Sequence, residues 1–500
     1  LFMIYNKIVD FLLYSKYFMY FNIFLIVFSS NIFYYKITNN INNNLIYILY
    51  ETINLNGCVL IKFIQWLTAN LDMLEEKEMQ HILKIFSNYY ENCSKHSLKY
   101  TKKMFKLDFG YDFDDIITLD EDFDVKSASI AQVYKGKFKV DNQHSLFKKY
   151  NINWKNDNDN DNDNDNDNDN YDIAIKVTHP NLEQQMYYSI KFLKFIIYLT
   201  ENVNLFKKYS TVFHFDIFFE NLIQQKNMNN EYNNIKYFYE YYKNNEYIVI
   251  PEPLLYSENF LFMTFEDGER LESIDASHYE KQKFCTLLNL FHKNNCFLCD
   301  YIHNDLHEAN WKVRKYKELG QIIIYDFGYI VENNIKEFGK KIIYSIDIND
   351  FTNIITSIYE NSLNKEKLDI EFLIKEYNNY MDNLIPFSDE TIKKTYKFIY
   401  KHNIKLNSIV LEIFIVSILL KKFFKDYIFI QEETDILYNI LLKQYNYYVN
   451  VCEKYNIFTD LIHNIKEYYL ENHEILTKHV YDDSNLNNII NDLDKEVISI

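Results

Sequence analysis

The sequence predicts an α+β chain of two lobes, with a helical extension ahead of the first lobe and helices filling the second. Three observations predict it. From Val125 to Val140, and again from Tyr171 to Val177, apolar residues fall in short β-like runs. From Glu280 onward the spacing is helical, apart from one apolar strand at Gln321 to Tyr325. The 500 residues are enough for two or three cores.

The chain opens on Leu1 rather than Met, so a true amino terminus, with any targeting peptide, is expected to lie upstream. Between Lys16 and Lys36 runs the apolar and aromatic stretch Tyr17 to Tyr35, interrupted by Asn22, Ser29, Ser30 and Asn31. Its length is close to the roughly 20 residues a bilayer requires, so membrane span, interfacial anchor and buried helix are all open readings. Residues near 50 to 106 read as helical. A strict Asn-Asp alternation from Asn156 to Asn170 splits the two β-like runs. Such a tract buries too little to offset its ordering entropy, and is expected to be a disordered insertion between strands that still pair.

Leu182 to Leu199 and Phe213 to Tyr242 read as helices. Tyr247 to Ile250 and Phe260 to Phe265 read as strands around a loop at Pro251 to Glu258. Ile409 to Leu420 is too short to span a membrane, contains Glu412, and reads as a buried helix. The expected division is a membrane or targeting segment at 1–36, a helical extension at 37–110 and the strand-rich lobe at 111–265. The helical lobe follows at 266–480 and a polar tail at 481–500.

Composition excludes some functions. The 7 glycines and 4 prolines leave turns to Asn and Asp, which tolerate left-handed geometry. A formal net charge of −18 counts against nucleic-acid binding, which needs clustered Lys and Arg. The six cysteines (Cys58, Cys93, Cys285, Cys296, Cys299 and Cys452) form no dense disulfide framework, so a reducing compartment is expected. Cys296 and Cys299 have CxxC spacing, but no second pair or His cluster completes a zinc site, and they read as two thiols one helical turn apart.

Chemistry concentrates in Tyr301-Ile-His-Asn-Asp-Leu-His-Glu-Ala-Asn310 and in Asp326-Phe-Gly328 at the end of an apolar strand. His303, Asp305 and Asn310 have the order and spacing of the kinase catalytic loop H-x-D-x-x-x-x-N, and the second segment matches its D-F-G triplet. Phosphoryl transfer needs a carboxylate near the attacking oxygen and oxygen ligands for magnesium. Asp305 is placed for the first task, Asn310 and Asp326 for the second. Either motif alone could be chance; both in order, with partners upstream, are specific.

Upstream, Ala174-Ile175-Lys176 resembles the kinase strand whose lysine contacts the α and β phosphates, although sequence alone does not decide which face Lys176 takes. Glu231, on the following helix, is the candidate to hold that lysine; its bland reading is a surface charge. Ser127-Ala-Ser-Ile-Ala-Gln-Val-Tyr-Lys-Gly136 stands where a kinase has its glycine-rich loop. Small residues let backbone N–H groups approach phosphate, though they also pack hairpins.

Together these segments resemble the UbiB-type (aarF-domain) atypical kinases, closest to the mitochondrial branch, in which an alanine-rich A-S-I-A-Q-V loop replaces the glycine-rich one. Ala128, Ser129, Ile130, Ala131, Gln132 and Val133 reproduce that loop. Lys176-Val-Thr-His179-Pro180 follows the family's V-x-H-P, and Gln225, Glu231 and Asn234 match its Q-x-D-L-R-x-E-A-x-N helix. Phe265-Glu266-Asp267-Gly268 matches the hinge, where Glu266 would receive adenine. Lys62 and Gln65 resemble the family's K-x-G-Q helix, which lies over the active site and restrains protein-kinase activity. The match spans roughly residues 55 to 335.

The resemblance implies a two-lobed protein-kinase-like fold with ATP and Mg2+ as cofactors and a mitochondrial, membrane-associated location. It also implies a part in coenzyme Q biosynthesis or mitochondrial lipid handling, with a lipid or quinone precursor as partner. Three departures bear on it. Ile64 replaces the K-x-G-Q glycine, which is expected to hinder close approach over the nucleotide; Asn227 replaces a helix Asp, removing a charge that the family pairs with lysine or metal; and Glu308-Ala309 replaces Pro-Gly. A catalytically weak pseudokinase acting as an ATP-binding membrane scaffold is therefore the second reading. Small-molecule phosphotransferases of the aminoglycoside or choline kinase kind share the His-x-Asp loop but usually lack Asp-Phe-Gly and the alanine-rich loop.

Overall fold

The computed structural model describes residues 2–40, 42–64, 93, 95–140, 144–150, 172–200, 215–347, 350–381, 389–407, 409–410, 413, 416, 420, 451–461 and 463–464. The Asn-Asp tract 156–170, Gln65 and the tail 481–500 lie outside these residues.

A six-stranded sheet organises the first lobe. Its path runs β1 (Ile117–Leu119), β3 (Ala131–Phe138), β4 (Ile173–Thr178), β7 (Phe260–Thr264), β6 (Pro253–Tyr256), with β2 (Lys126–Ser127) paired to β3. β3 and β4 pair antiparallel from Ala131↔Thr178 to Gly136↔Ile173, so the strands on either side of the Asn-Asp tract do join. Side chains alternate between faces with period two. Ile173, Ile175, Val177, Phe260 and Phe262 pack one face against Phe105 and Phe109 of helix Leu98–Phe109, while Leu261 and Met263 face the second core. Ala174 and Lys176 share that second face, which answers what the sequence left open: Lys176 points to the cleft between the lobes.

Two helices cross between the lobes. Phe215–Gln225 and Met228–Tyr242 are separate elements where the sequence reading ran one helix from Phe213 to Tyr242. The break has a local cause. Asn227 caps the second helix by accepting from the backbone N–H groups of Asn229 and Asn230.

In the second lobe β5 (Ile248–Val249), β10 (Gln321–Ile324) and β9 (Trp311–Arg314) form one small sheet, and β8 (Tyr301–His303) pairs with β11 (Ile330–Glu332). The sequence reading recognised β10 and, as Tyr247 to Ile250, β5, but not β8, β9 or β11. Strands of two to four residues are too short to show a period, and their backbone groups are satisfied by pairing that only the tertiary fold supplies. The loop expected at Pro251 to Glu258 is likewise largely β6, an edge strand opened by Pro253, where a missing N–H costs least. Around these sheets stand helix His278–Phe297, started by a Ser277/Glu280 capping box, and the later helices. Val410, Ile413, Val416 and Leu420 are all buried, in keeping with the core helix expected there.

Ahead of the first lobe, helices Phe2–Thr38 and Asn43–Asn56 and the helical residues 58–64 build a separate apolar cluster with helix Leu182–Thr200. The long first helix buries Tyr17, Phe21 and Phe24 and exposes Phe11, Leu12, Ile26 and Phe33.

Phe262 is fully buried and in ring contact with Phe105, Phe109, Phe138 and Phe260, so Phe262→Ala is expected to cost about 3–5 kcal/mol, read by urea unfolding.

Candidate active site

The cleft between the lobes encloses about 410 Å³. Its roof is Ser127, Ala128, Ala131 and Val133, its back Ala174, Lys176 and Met263, its hinge side Thr264 to Gly268, and its floor Asn310, Lys312, Tyr325 and Asp326.

At its inner end Lys176 Nζ lies 2.6 Å from Glu231 Oε1 and 3.1 Å from Asp326 Oδ2. Three elements meet there: a strand of the first lobe, the capped helix behind it, and the loop after β10. Burial works against charge on Lys176, but Asp326 and Glu231 outweigh it and hold the ammonium above the usual lysine range. Burial pushes the Asp326 carboxyl up, and Lys176, Lys62 and the Gly328 N–H outweigh that, holding it well below the usual range. Burial pushes the Glu231 carboxyl up, to about 7, against the pull of Lys176. One ammonium thus serves two carboxylates, and this group of three carries one negative charge in excess when Glu231 is ionised.

The catalytic-loop residues are tied to this group through their backbones. His303 Nε2 donates to the Asp326 carbonyl at 2.7 Å, and its Nδ1 accepts from the Asp305 N–H at 3.3 Å, which fixes the neutral tautomer. Burial lowers the His303 pKa in accord. Asn310 Nδ2 donates to the Asp305 carbonyl at 2.7 Å, which leaves its carboxamide oxygen for a ligand. Asn234 Nδ2 donates to the Phe327 carbonyl at 2.9 Å, clamping the Asp-Phe-Gly loop to the helix that carries Glu231.

Asp305 itself has both oxygens engaged, Oδ1 with His307 Nε2 at 3.4 Å and Oδ2 with Lys62 Nζ at 3.4 Å. Burial pushes this carboxyl up, and His307 and Lys62 hold it below the usual range nonetheless. His307 Nδ1 accepts the Ala309 N–H at 3.2 Å, so Nε2 carries its proton toward Asp305, and the Glu308-Ala309 replacement still closes the loop.

Lys62 reaches the site from the extension. Ile64 does not lie over the cleft; its side chain packs in the extension's own apolar cluster, so the departure from glycine leaves Lys62 in place. Asn227 is likewise no charge partner here. It is spent on the cap.

Of the alanine-rich loop, Ala128, Ala131 and Val133 line the cleft. Three residues expected there, Ser129, Ile130 and Gln132, do not. Ile130, in the turn before β3, packs into the extension cluster, and Gln132, which alternation along β3 places on the far side, exchanges hydrogen bonds with the backbone of His96 at 2.9 and 3.2 Å. Ser129, in the turn just ahead of Ile130, is buried, and its hydroxyl finds no hydrogen-bond partner among the described residues.

Glu266 lines the hinge, but its carboxylate is bound by Arg314 at 2.9 Å and its carbonyl accepts from Tyr325 at 2.9 Å. Gly268 belongs to the same close contact: a Cβ there would lie 2.9 Å from Ile323 Cδ1 and 3.0 Å from Lys312 Cβ. Arg314 and Lys312 were missed from sequence and carry no motif. Tyr325 and His307 stand inside the recognised motifs, and that position was the available signal.

Cys296 and Cys299 are buried free thiols, held above the usual range first by burial. No group of three or more His, Cys, Asp or Glu placed to hold a metal occurs among the described residues. The cleft's own donors are all oxygens, Asp326 and Asn310, beside excess negative charge, which suits a hard divalent cation that also takes phosphate and water ligands.

A lysine shared by a helix glutamate and the Asp of Asp-Phe-Gly, above an Asp and Asn from one loop, defines a protein-kinase-like fold of two lobes. Residues 165–358 match the family model described as the ABC1 atypical kinase-like domain. That match supports the UbiB-type resemblance read from the motifs.

Among curated proteins it is 22% identical over 271 residues to the probable serine/threonine-protein kinase abkC of Dictyostelium discoideum, covering 53% of this chain and 34% of the relative. It is 26% identical over 283 residues to the ABC1 family protein C21C3.03, mitochondrial, of Schizosaccharomyces pombe, covering 53% of this chain and 39% of the relative. The chain thus matches well under half the length of these relatives. Among solved structures it is similar to the Rv3197–erythromycin complex from Mycobacterium tuberculosis, at 13% identity and TM-score 0.42 over 67% of this chain and 83% of that one. It is also similar to the Rio2 kinase–ADP/Mg2+–phosphoaspartate complex from Chaetomium thermophilum, at 11% identity and TM-score 0.27 over 65% and 85%. The fold assignment rests on strand order and site geometry rather than on these two.

Lys176→Met, which leaves two carboxylates without their shared cation, is expected to destabilise the ligand-free protein at pH 7 by about 3–5 kcal/mol. Glu231→Gln, which leaves Lys176 paired with Asp326, is expected to cost only about 1–2 kcal/mol. Denaturant unfolding of both variants checks the order.

Proposed function

We propose that this protein is an ATP- and magnesium-dependent atypical kinase or ATPase. The observation that carries the reading is the convergence of Lys176, Glu231 and Asp326 beside Asp305 and Asn310 at the closed end of one cleft. Adenine would lie against the hinge at Thr264 to Asp267, and the phosphates would run under the Ser127–Ala131 turn toward Lys176. An acceptor hydroxyl or water would attack the γ-phosphorus, its proton passing to Asp305, while the bond to the β–γ bridging oxygen breaks and ADP leaves. Asn310 and Asp326 would hold the magnesium ion, which would supply positive charge against the charge that develops as the phosphoryl group moves.

In that reading Lys62 is regulatory. Its ion pair occupies the Asp305 oxygen opposite the one that faces His307, so Asp305 can accept a proton only when the extension shifts. Gln65, the second nominated regulatory residue, lies outside the described residues.

A mitochondrial site of action and a part in coenzyme Q biosynthesis or lipid homeostasis follow from the family resemblance, and one relative's name includes "mitochondrial". Membrane attachment is supported by the first helix: Phe11–Tyr35 is long and apolar enough to cross a bilayer, with mean hydropathy 1.6 and only 17% of its most apolar window buried. A lipid or quinone precursor is the proposed partner.

The second reading, an ATP-binding scaffold without turnover, is favoured by the Lys62–Asp305 contact if that contact is permanent. Two measurements separate the readings. Lys176→Ala is expected to lose magnesium-dependent ATP binding, and unchanged binding would refute the site. ADP release by the intact chain should vanish in Asp326→Asn and rise severalfold in Lys62→Ala; no release from either the parent chain or Lys62→Ala leaves the scaffold as the function.

A further inference from the structure

The turn at Ala128–Ile130 is held by something the nucleotide site does not itself explain. His179, just after β4, grips it twice: its backbone N–H donates to the Ile130 carbonyl at 2.9 Å, and its Nε2 reaches the Ala128 carbonyl at 2.9 Å, with Ser127 Oγ at 3.5 Å. A carbonyl only accepts, so the proton of His179 sits on Nε2 and its Nδ1 is an acceptor. Facing that nitrogen at 2.9 Å is Nδ1 of His96, which must therefore donate. His96 Nε2 is then the acceptor, and the Thr101 hydroxyl lies 3.1 Å from it. Thr101 Oγ1 in turn accepts from the Tyr134 hydroxyl at 2.8 Å, and Tyr134 accepts from Gln132 Nε2. The other Gln132 amide proton goes to the His96 carbonyl, and the Gln132 oxygen takes the His96 N–H, which closes the chain.

We infer that His96 and His179 are positioning residues of the alanine-rich loop: a proton-ordered pair, fixed from β3 through Gln132, Tyr134 and Thr101, that holds the Ala128 and Ile130 carbonyls back so the turn, whose Ala128 N–H is spent on the Ala131 carbonyl at 2.9 Å, presents the N–H groups of Ser129 and Ile130 to phosphate. The inference rests on reading the cleft as a nucleotide site. It assigns a task to Gln132, which does not face the cleft, and to His96, which no motif singled out.

Protonating His179 on Nδ1 would set two N–H donors face to face across 2.9 Å, and protonating His96 on Nε2 would set an N–H against the hydroxyl proton that Thr101 directs to it at 3.1 Å. Both rings are accordingly held neutral. Burial, then His179, lowers the His96 pKa to about 4, and burial lowers that of His179 against the opposing Ala128 carbonyl. Among the described residues no carboxylate contacts either ring. Nearby Lys95 is turned to Asp124 at 2.7 Å, and Tyr100 meets His96 edge-on with ring centroids 4.9 Å apart.

Imidazole nitrogen NMR of the full chain, assigned with single-His variants, tests the pair without nucleotide. His96 is expected as the Nδ1–H tautomer and His179 as the Nε2–H tautomer, neither titrating between pH 8 and 6, whereas His96→Phe should let His179 titrate nearer the ordinary value of about 6.5. Finding His96 as the Nε2–H tautomer, or either ring titrating above pH 6 in the parent chain, overturns the inference. The functional consequence is read by hydrogen exchange over residues 127–132 and by titration with a fluorescent ATP analogue and Mg2+. His179→Phe should speed exchange and weaken binding about tenfold, and His179→Gln, which restores a donor near the Nε2 position, should recover most of it. Unchanged exchange and affinity in His179→Phe overturn the positioning role. Absence of nucleotide binding by the parent chain overturns the reading of the cleft instead, and the tautomers still decide the pair.

Discussion

Lys176 Nζ lies between two carboxylates that belong to different parts of the chain, Glu231 on the helix behind the sheet and Asp326 at the end of a strand in the second lobe. Each group alone would be costly to bury, and the pairing is what permits them to meet in a cleft with apolar walls. Because the three come from three elements, the contact also fixes how those elements sit. The capped helix is drawn onto the sheet, and the Asp-Phe-Gly loop, clamped to that helix by Asn234, is held against both. The balance is left short by one positive charge, a condition that a phosphate-bound divalent cation would meet.

A second layer of constraint comes from the chain ahead of the lobes. The extension contributes Lys62 to Asp305 and receives Ile130 into its apolar cluster, so it touches both the catalytic loop and the alanine-rich turn. Ile64 illustrates how a departure from a family pattern can be absorbed. Its bulk is used in the extension's own core, leaving the lysine two residues before it to reach across. Asn227 is absorbed differently, as a helix cap, a task for which Asn and Asp serve about equally.

Legibility in the sequence followed the physics of each element. Ile173, Ile175 and Val177 alternate with Ala174 and Lys176, so β4 was visible, and the helix Leu182–Thr200 has the length and period to declare itself. Tyr301–His303, Trp311–Arg314 and Ile330–Glu332 were not visible, since strands this short are stabilised by their neighbours rather than by any pattern of their own. Arg314 on Glu266, and His96 against His179, join residues far apart in sequence and of types common on any surface.

The sequence by itself determined which residues could share one site: Asp305, Asn310 and Asp326 stand at spacings that short loops can deliver to one point, and their order with Lys176 and Glu231 left few other arrangements. Which face Lys176 takes, which residues of the alanine-rich loop look into the cleft, and what Lys62 touches were decided only by the tertiary structure. The reason is geometric. Order along a chain fixes which groups are near in sequence, whereas side-chain direction and partnership across the lobes depend on sheet register and on how separate cores pack together.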